Sequence, residues 1–281
     1  MGQRCVTYEP DNSLKKGYLN IFREILDEIR WNKYLTYQLF RRDFFAAYKQ
    51  SFVGVFWAFA MPMFSIGTFV LLNRSGIFDV GEIDMPYPLF ALLGLSIWQI
   101  FSSGLTSAAG SLASAGSMLT RINFSKKALI LASLGKPAII FLFQLVMVGI
   151  LMVFYHVVPS PSALLLPIVL IPVFLLVVGL GFLLSLFNAF AKDVGNGLQM
   201  VMTFFMFLTP VLYARPQEGM LGTVTRFNPM HYFVSAGRDI MVYGSIREWH
   251  GYLAATAISF ALFVICIMFF HLTETRVTER I

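Results

Sequence analysis

Between Lys49 and Arg74 the chain carries no formal charge, and that gap limits what it can become. At about 1.5 Å of rise per residue, a helix over residues 51–73 reaches across a hydrocarbon core of roughly 30 Å. Pro62 falls inside this run. A soluble helix would lose a hydrogen bond there, whereas in a membrane neighbouring helices or Ser65 can re-satisfy the freed carbonyl, so a kinked span is expected.

Further apolar runs follow at residues 89–113, 137–157, 164–187, 197–213 and 252–272. With 57% hydrophobic and 13% charged residues, and a mean hydropathy of +0.71, the chain is too apolar for a soluble domain. Its runs are too continuous for the alternating strands of a membrane barrel. The expected fold class is all-α: a polytopic membrane protein with six transmembrane helices. Residues 1–50 read as a tail and an amphipathic interface helix, and residues 51–281 as the spanning domain. Gly94, Ser96, Ser102, Ser103, Gly104, Ser107, Ala108 and Gly110 make the second run rich in small side chains, which let helices approach closely in lipid.

The segments outside the runs are less uniform. Residues 1–17 read as a flexible polar tail with a possible cap near Ser13. From Tyr18 to Arg30, apolar residues recur at helical spacing opposite charged ones, with Trp31, Tyr34 and Tyr37 following. That composition suits a helix lying along the membrane interface, the alternative being one packed on another part of the chain or on a partner. Residues 214–251 keep recurrent apolar positions and read as short helices on the outer side, broken near Asn228 and Pro229. No charged-then-apolar signal pattern opens the chain, which predicts a retained first span. Cys5 and Cys266 lie in such different settings that no disulfide within the chain is expected.

Charge placement predicts orientation. An inside N-terminus puts sixteen of the 21 Lys and Arg residues on the cytoplasmic side, leaving Arg74, Arg215, Arg226, Arg238 and Arg247 outside. Both termini are then cytoplasmic. The net charge of +6 is read as topology rather than as a nucleic-acid surface.

Several chemistries are missing from the sequence. The Gly135–Lys136 pair is followed by Pro137 and lacks the upstream glycine of a Walker A loop, so ATP binding by that route is not expected. No HExxH or paired-cysteine spacing points to a metal. His156, His231, His250 and His271 fall near expected span edges and read as packing. Ionisable residues are nearly absent from the span interiors, which argues against proton or sodium coupling. Asp193 is the lone acid on the expected cytoplasmic loops between spans, too little to hold the magnesium and phosphate of a membrane transferase. What the spans do carry is aromatic: Phe56, Trp57, Phe59 and Phe64 in the first, Phe204 and Phe205 in the fifth, and Tyr213 at its end. Any one ring reads first as packing against lipid and its neighbours. Together they would suit an uncharged passage lined by many shallow contacts for the C–H faces of sugars, strong enough for entry and weak enough for exit.

A family likeness rests on specific stretches. RRDFFAAYKQSFVGVFWAFAMP at 41–62, PYPLFALLGLSIWQIFSSGL at 86–105, LTRINFSKKALI at 119–130, AKDVGN at 191–196, TPVLY from Thr209 and FNPM from Phe227 resemble the membrane subunits of bacterial ABC exporters for polysaccharides, the O-antigen, capsule and teichoic-acid permeases. The resemblance covers nearly all of the chain after residue 30. It implies a homodimer of six-span subunits carried on two copies of a separate ATPase, with a channel at the dimer centre for a lipid-linked polysaccharide. ATP and magnesium would sit on that partner, and this chain would hold no catalytic, cofactor or metal site. The resemblance also implies ATPase contacts at Arg121, Asn123, Lys126, Lys127, Lys192 and Asp193, although these charges also satisfy the positive-inside bias. It implies an outer gate bending at Pro210, Phe227, Asn228 and Pro229. Two other readings stay open: an ABC exporter of a smaller amphiphile, such as a lipid or drug, and a membrane enzyme that modifies glycolipids.

Overall fold

A computed structural model of the chain describes residues 18–49, 56–76, 80–121, 125–215 and 218–277. Among the described residues the regular structure is helical, without strands. Four helical stretches are long and apolar enough to cross a membrane: Tyr87–Gly116, Lys126–Phe154, Pro161–Phe190 and Trp249–Glu274. The chain is a multi-pass membrane protein.

In order, the helices are α1 (Tyr18–Trp31), α2 (Lys33–Lys49), α3 (Trp57–Arg74), α4 (Tyr87–Arg121), α5 (Lys126–Ser133), α6 (Gly135–Phe154), α7 (Leu166–Val169), α8 (Ile171–Phe190), α9 (Asp193–Leu208), α10 (Gly219–Phe227), α11 (Pro229–Val242) and α12 (Trp249–Val277). The expected first and fifth runs are helical but short. α3 has 18 residues and α9 has 16, so α9 rises only about 24 Å, less than a full hydrocarbon core. Residues 51–55, where the first span was expected to begin, lie outside the described residues, as does the tail at 1–17. α3 runs from Trp57 to Arg74 with Pro62 inside it.

The expected boundaries shift where backbone geometry overrides hydropathy. The helical backbone of α4 is interrupted at Gly116, at φ 36 and ψ −118, so its apolar part ends there and a short helical segment follows to Arg121. A side chain would resist that conformation. The expected fourth span is broken into a 3-10 turn at Pro161–Leu165, the single turn α7, and α8, with Pro167 and Pro172 in the opening turns of α7 and α8. α6 stops at a left-handed cap on His156, with φ 55, and the Val157 N–H donates to the Met152 carbonyl at 2.9 Å.

α4 is the centre of the bundle. It packs along α8 and α6, and α8 in turn packs along α12, while α3 and α9 lie on the periphery. The α8–α12 contact is close because Gly179 faces backbone: a Cβ there would stand 2.6 Å from the Phe263 Cα. Side chains from α4, α8 and α11 fill the main core, including Trp98, Phe101, Val173, Phe233 and Val234. Gln144 of α6 donates to Gln99 of α4, an interhelical bond of the kind that steadies helices where no water competes. On the outside, Leu142, Val146, Ile150 and Val153 form an exposed apolar stripe along α6. Water would not tolerate such a belt, but lipid does.

The N-terminal helices do not stand apart from the bundle. Asn32 bridges α1 and α2, accepting from the Thr36 N–H while its own N–H donates to Glu28, so the helical ladder is nearly continuous. Trp31, Tyr34 and Tyr37 therefore belong to this helical arm rather than following it, and all three point outward. Ile25 and Leu39 are buried with Leu112, Leu129, Ile130, Phe182 and Phe270. The reading left as an alternative, packing on the chain itself, holds for this face of the arm.

Candidate functional site

At the end of the bundle where α4 gives way to α5, charged residues gather around one lysine. α5 begins at Lys126 because Ser125, in extended conformation, accepts from the Ala128 N–H with its side chain. Two lysines then occupy the first turn of α5, where the helix dipole disfavours positive charge. Carboxylates from two distant elements offset this. Glu28 of α1 accepts from the Ser125 hydroxyl and from Lys127 Nζ, each at 2.7 Å, and Glu274 of α12 pairs with the same Nζ. Lys126 Nζ donates to the Glu274 carbonyl, and His271 Nδ1 lies 3.2 Å from the Glu274 carboxylate. The Lys127 side chain is fully enclosed, with Phe270 forming part of its wall.

The ligand atoms of Glu28, His271 and Glu274 all lie within 4.8 Å of one another, close enough to hold a metal ion. Lys127 already engages both carboxylates, so its ammonium takes the place such a cation would fill. The site is a clasp. It fastens the first described helix, the α4–α6 connection and the last helix together, and its burial makes each contact costly to leave unmade.

The corner between α8 and α9 lies at the same end. Lys192 and Asp193 are exposed there, with Asp193 in the first turn of α9, where a negative charge suits the helix dipole. Asn188 secures the corner by accepting from the Gly195 N–H at 2.7 Å and donating to the Ala109 carbonyl at 3.0 Å.

The expected contact residues thus divide. Lys192 and Asp193 stand on the surface. Lys127 is a correction: expected to face a partner, it is instead held within the chain because two internal carboxylates claim it. Lys126 also turns inward to α12. Asn123 lies outside the described residues, and Arg121 is described only as the last residue of α4. Glu28 and Glu274 were not singled out by the sequence reading, and His271 was read there as packing. Their signal was faint: an i, i+3 His–Glu pair at the end of an apolar helix, and one acid among several on an amphipathic one.

The aromatic residues divide as well. Phe56, Trp57, Phe64 and Phe204 are exposed on α3 and α9 or at their start, with no covering element among the described residues. The Phe205 ring is partly buried against Trp98 and Phe101, with centroids 5.7 and 6.4 Å away. The Tyr213 hydroxyl donates to the Phe207 carbonyl at 2.6 Å. The Phe59 side chain lies outside the described residues.

At the opposite end, Pro210 is buried, Phe227 is exposed at the end of α10, and Asn228 caps α11 by accepting from the Met230 N–H. Asn228 also donates to the Thr209 hydroxyl at 2.8 Å, tying the end of α9 to the start of α11. Pro229 occupies the first helical position, where its missing N–H costs nothing.

Residues 34–242 match the family described as ABC-2 type transporter. An O-antigen export system permease protein, RfbA, of Myxococcus xanthus is 24% identical over 232 residues, 81% of this chain and 88% of that protein. An RfbA of Klebsiella pneumoniae is 22% identical over 244 residues, 85% of this chain and 91% of its own length. With the family match spanning most of a multi-pass helical bundle, the chain belongs to the ABC-2 type transporter family and is the membrane permease that works with an ABC ATPase.

Proposed function

We propose that this permease forms half of a passage through which its ATPase drives a lipid-linked polysaccharide, of O-antigen type, from the cytoplasm to the outer face of the bacterial inner membrane. The observation that carries the proposal is its similarity, over more than four-fifths of its length, to proteins named as O-antigen export permeases. A long hydrophilic chain cannot cross lipid unaided, nor fit whole into a small enclosed site, so a passage is required. The uncovered rings of α3 and α9 support a passage between two copies of the chain, with an ATPase on each.

In this reading α3, α4, α6, α8, α9 and α12 are the six spans, both termini are cytoplasmic, and residues 1–50 and 51–281 are the interface arm and the spanning domain. α1 and α2 lie at the inner membrane surface with Trp31, Tyr34 and Tyr37 towards the headgroups. α10 and α11 frame the outer mouth, with gate bends at Pro210, Phe227, Asn228 and Pro229. Lys192, Asp193, Arg121 and Asn123 meet the ATPase, and Lys126 and Lys127 act behind them. Closure of the ATPase pair on ATP and magnesium pushes the α4–α6 connection, and the clasp passes that push to α1 and α12 together.

The test is reconstitution of the permease with its ATPase in vesicles. Lipid-linked glycan should raise ATP turnover and become accessible on the far side. Stimulation by a simple lipid or a drug, without any response to glycan, would replace the proposed cargo with a smaller amphiphile.

A further inference from the structure

A second polar cluster lies at the α11 end, remote from the clasp. It surrounds a cavity of about 160 Å³ between residues 82–90, the 210–215 segment, α11 and the turn at Arg247 and Glu248. Its framework is internally satisfied. Arg238 is buried and donates to the carbonyls of Phe90 at 3.2 Å, Pro210 at 3.1 Å and Val211, with its guanidinium 3.5 Å from the Phe90 ring centroid. It binds three walls of the cavity together through three of its five N–H groups. Arg247 pairs with Asp84 at 3.2 Å and lies over Tyr243, while its backbone N–H donates to Asp239 at 2.9 Å. Arg215 pairs with Glu248 at 2.7 Å.

What remains for a ligand is of a different kind. His231 lines the cavity at 2% exposure, with its Nε2 facing Glu248. Ser235 also lines the space. The carboxylates of Asp84 and Glu248 each keep spare acceptor positions beside arginine donors, the alternation that adjacent hydroxyls need. Tyr213 also lines the space, as does Tyr243, one face of whose ring is covered by Arg247. Four acids, Glu82, Asp84, Asp239 and Glu248, line the space against three arginines, a balance that disfavours a phosphate.

We infer that this cavity is a saccharide-binding site that holds a single neutral sugar ring of the emerging glycan at the outer mouth. The identification of the ring as part of the cargo rests on the polysaccharide-export reading. The volume agrees with one ring, being well below the roughly 300–1,000 Å³ of pockets that enclose drug-sized ligands. Holding one unit after each advance would oppose backsliding of the chain without trapping it.

The test uses the full chain in nanodiscs and saturation-transfer NMR, with the methyl glycosides of glucose, galactose, mannose, rhamnose and N-acetylglucosamine as probes and inorganic phosphate as competitor. At least one glycoside should receive saturation at its ring protons, reduced at least fivefold by Ser235→Trp, which fills the cavity, and by His231→Ala. Ser235→Val provides a smaller change should the tryptophan disturb folding, and should weaken the signal at least twofold. Leu142→Ala, on the opposite lipid-facing stripe, should leave it unchanged. Absence of saturation transfer from every glycoside, signals unaffected by the Ser235 variants, or displacement by phosphate would overturn the site. Binding is read without ATP, so its failure beside intact glycan-stimulated turnover removes the site alone. Saturation transfer without glycan-stimulated turnover keeps a sugar site and removes the export reading.

Discussion

Lys127 Nζ lies 2.7 Å from Glu28 Oε2, a carboxylate 99 residues earlier in the chain, and no part of the lysine side chain reaches solvent. One residue of the α4–α6 connection is thereby fixed to the N-terminal arm. Through Glu274 it is fixed to the last helix as well. A push delivered to α5 cannot move that helix alone.

Lys127→Met should strand both carboxylates and destabilise the folded chain by about 3–5 kcal/mol, the usual cost of removing one partner from a buried ion pair. Combining it with Glu28→Gln and Glu274→Gln should recover a large part of the loss, because no uncompensated charge is then left inside. Melting temperature in detergent, followed for the single and triple variants, checks both statements. A triple variant no more stable than the single would mean that the lysine acts by packing rather than by charge.

Lys192→Glu should behave differently. Its side chain is exposed and makes no ion pair among the described residues, so the melting temperature should stay within the roughly 0.5 kcal/mol expected of surface changes. Coupled ATP turnover with the partner ATPase should fall several-fold if this corner meets it. Unchanged turnover would remove the corner from the contact surface.

The exposed and buried rings should separate in the same way. Phe205→Ala opens a gap beside Trp98 and Phe101 and should cost about 3 kcal/mol, somewhat less if the site collapses. Phe204→Ala and Phe64→Ala should leave the melting of the isolated chain nearly unchanged, while slowing glycan movement in vesicles. Equal melting losses at positions 204 and 205 would show that both rings belong to the core.

At Gly179, any side chain meets the α12 backbone at Phe263, which cannot swing aside. Gly179→Ala should therefore destabilise by about 1–3 kcal/mol through overpacking. Gly67→Ala, with nothing within 4 Å of the added carbon, should be neutral or slightly stabilising. Thermal unfolding in lipid nanodiscs distinguishes the two.

Acid should loosen the α11 end first. The hydrogen bond from His231, aided by Arg215 and opposed by burial, holds Glu248 down to about 2 from an ordinary value of 4.5. A carboxyl whose folded value is lowered gives stability that is present above about pH 4.5 and lost as the pH falls towards 2. Asp239, pushed up by burial against the pull of Arg247, has the opposite sign and loses its contribution as the pH rises past its ordinary 3.8. Glu248→Gln should flatten the acid limb of the melting-temperature profile. A profile as steep as that of the unaltered chain would assign the acid loss to other groups.

Much of the architecture could be read from local composition. A charge-free stretch of some twenty residues has few options besides crossing lipid, and hydropathy located the apolar bodies of α4, α6, α8 and α12, with ends up to eight residues from those observed. Boundaries escaped where the backbone does something composition does not encode: the bend at Gly116, the left-handed cap at His156, the broken entry to α8. The AKDVGN corner was legible because lysine, aspartate and glycine between two apolar runs leave little but a turn.

By itself, then, the sequence determined that this chain is a helical membrane bundle and, through its stretches of family likeness, which transporter family it joins. These are properties of runs and motifs, in which each residue acts through its neighbours along the chain. Only the tertiary structure decided that Lys127 is buried while Lys192 is exposed, that Phe205 packs against the core while Phe204 is exposed, and that Glu28, His271 and Glu274 share one site. A side chain's charge and size are written locally, but its partner is chosen by the packing of helices far apart in the chain, and in a low-dielectric interior that choice settles whether a charge faces outward or holds the protein together.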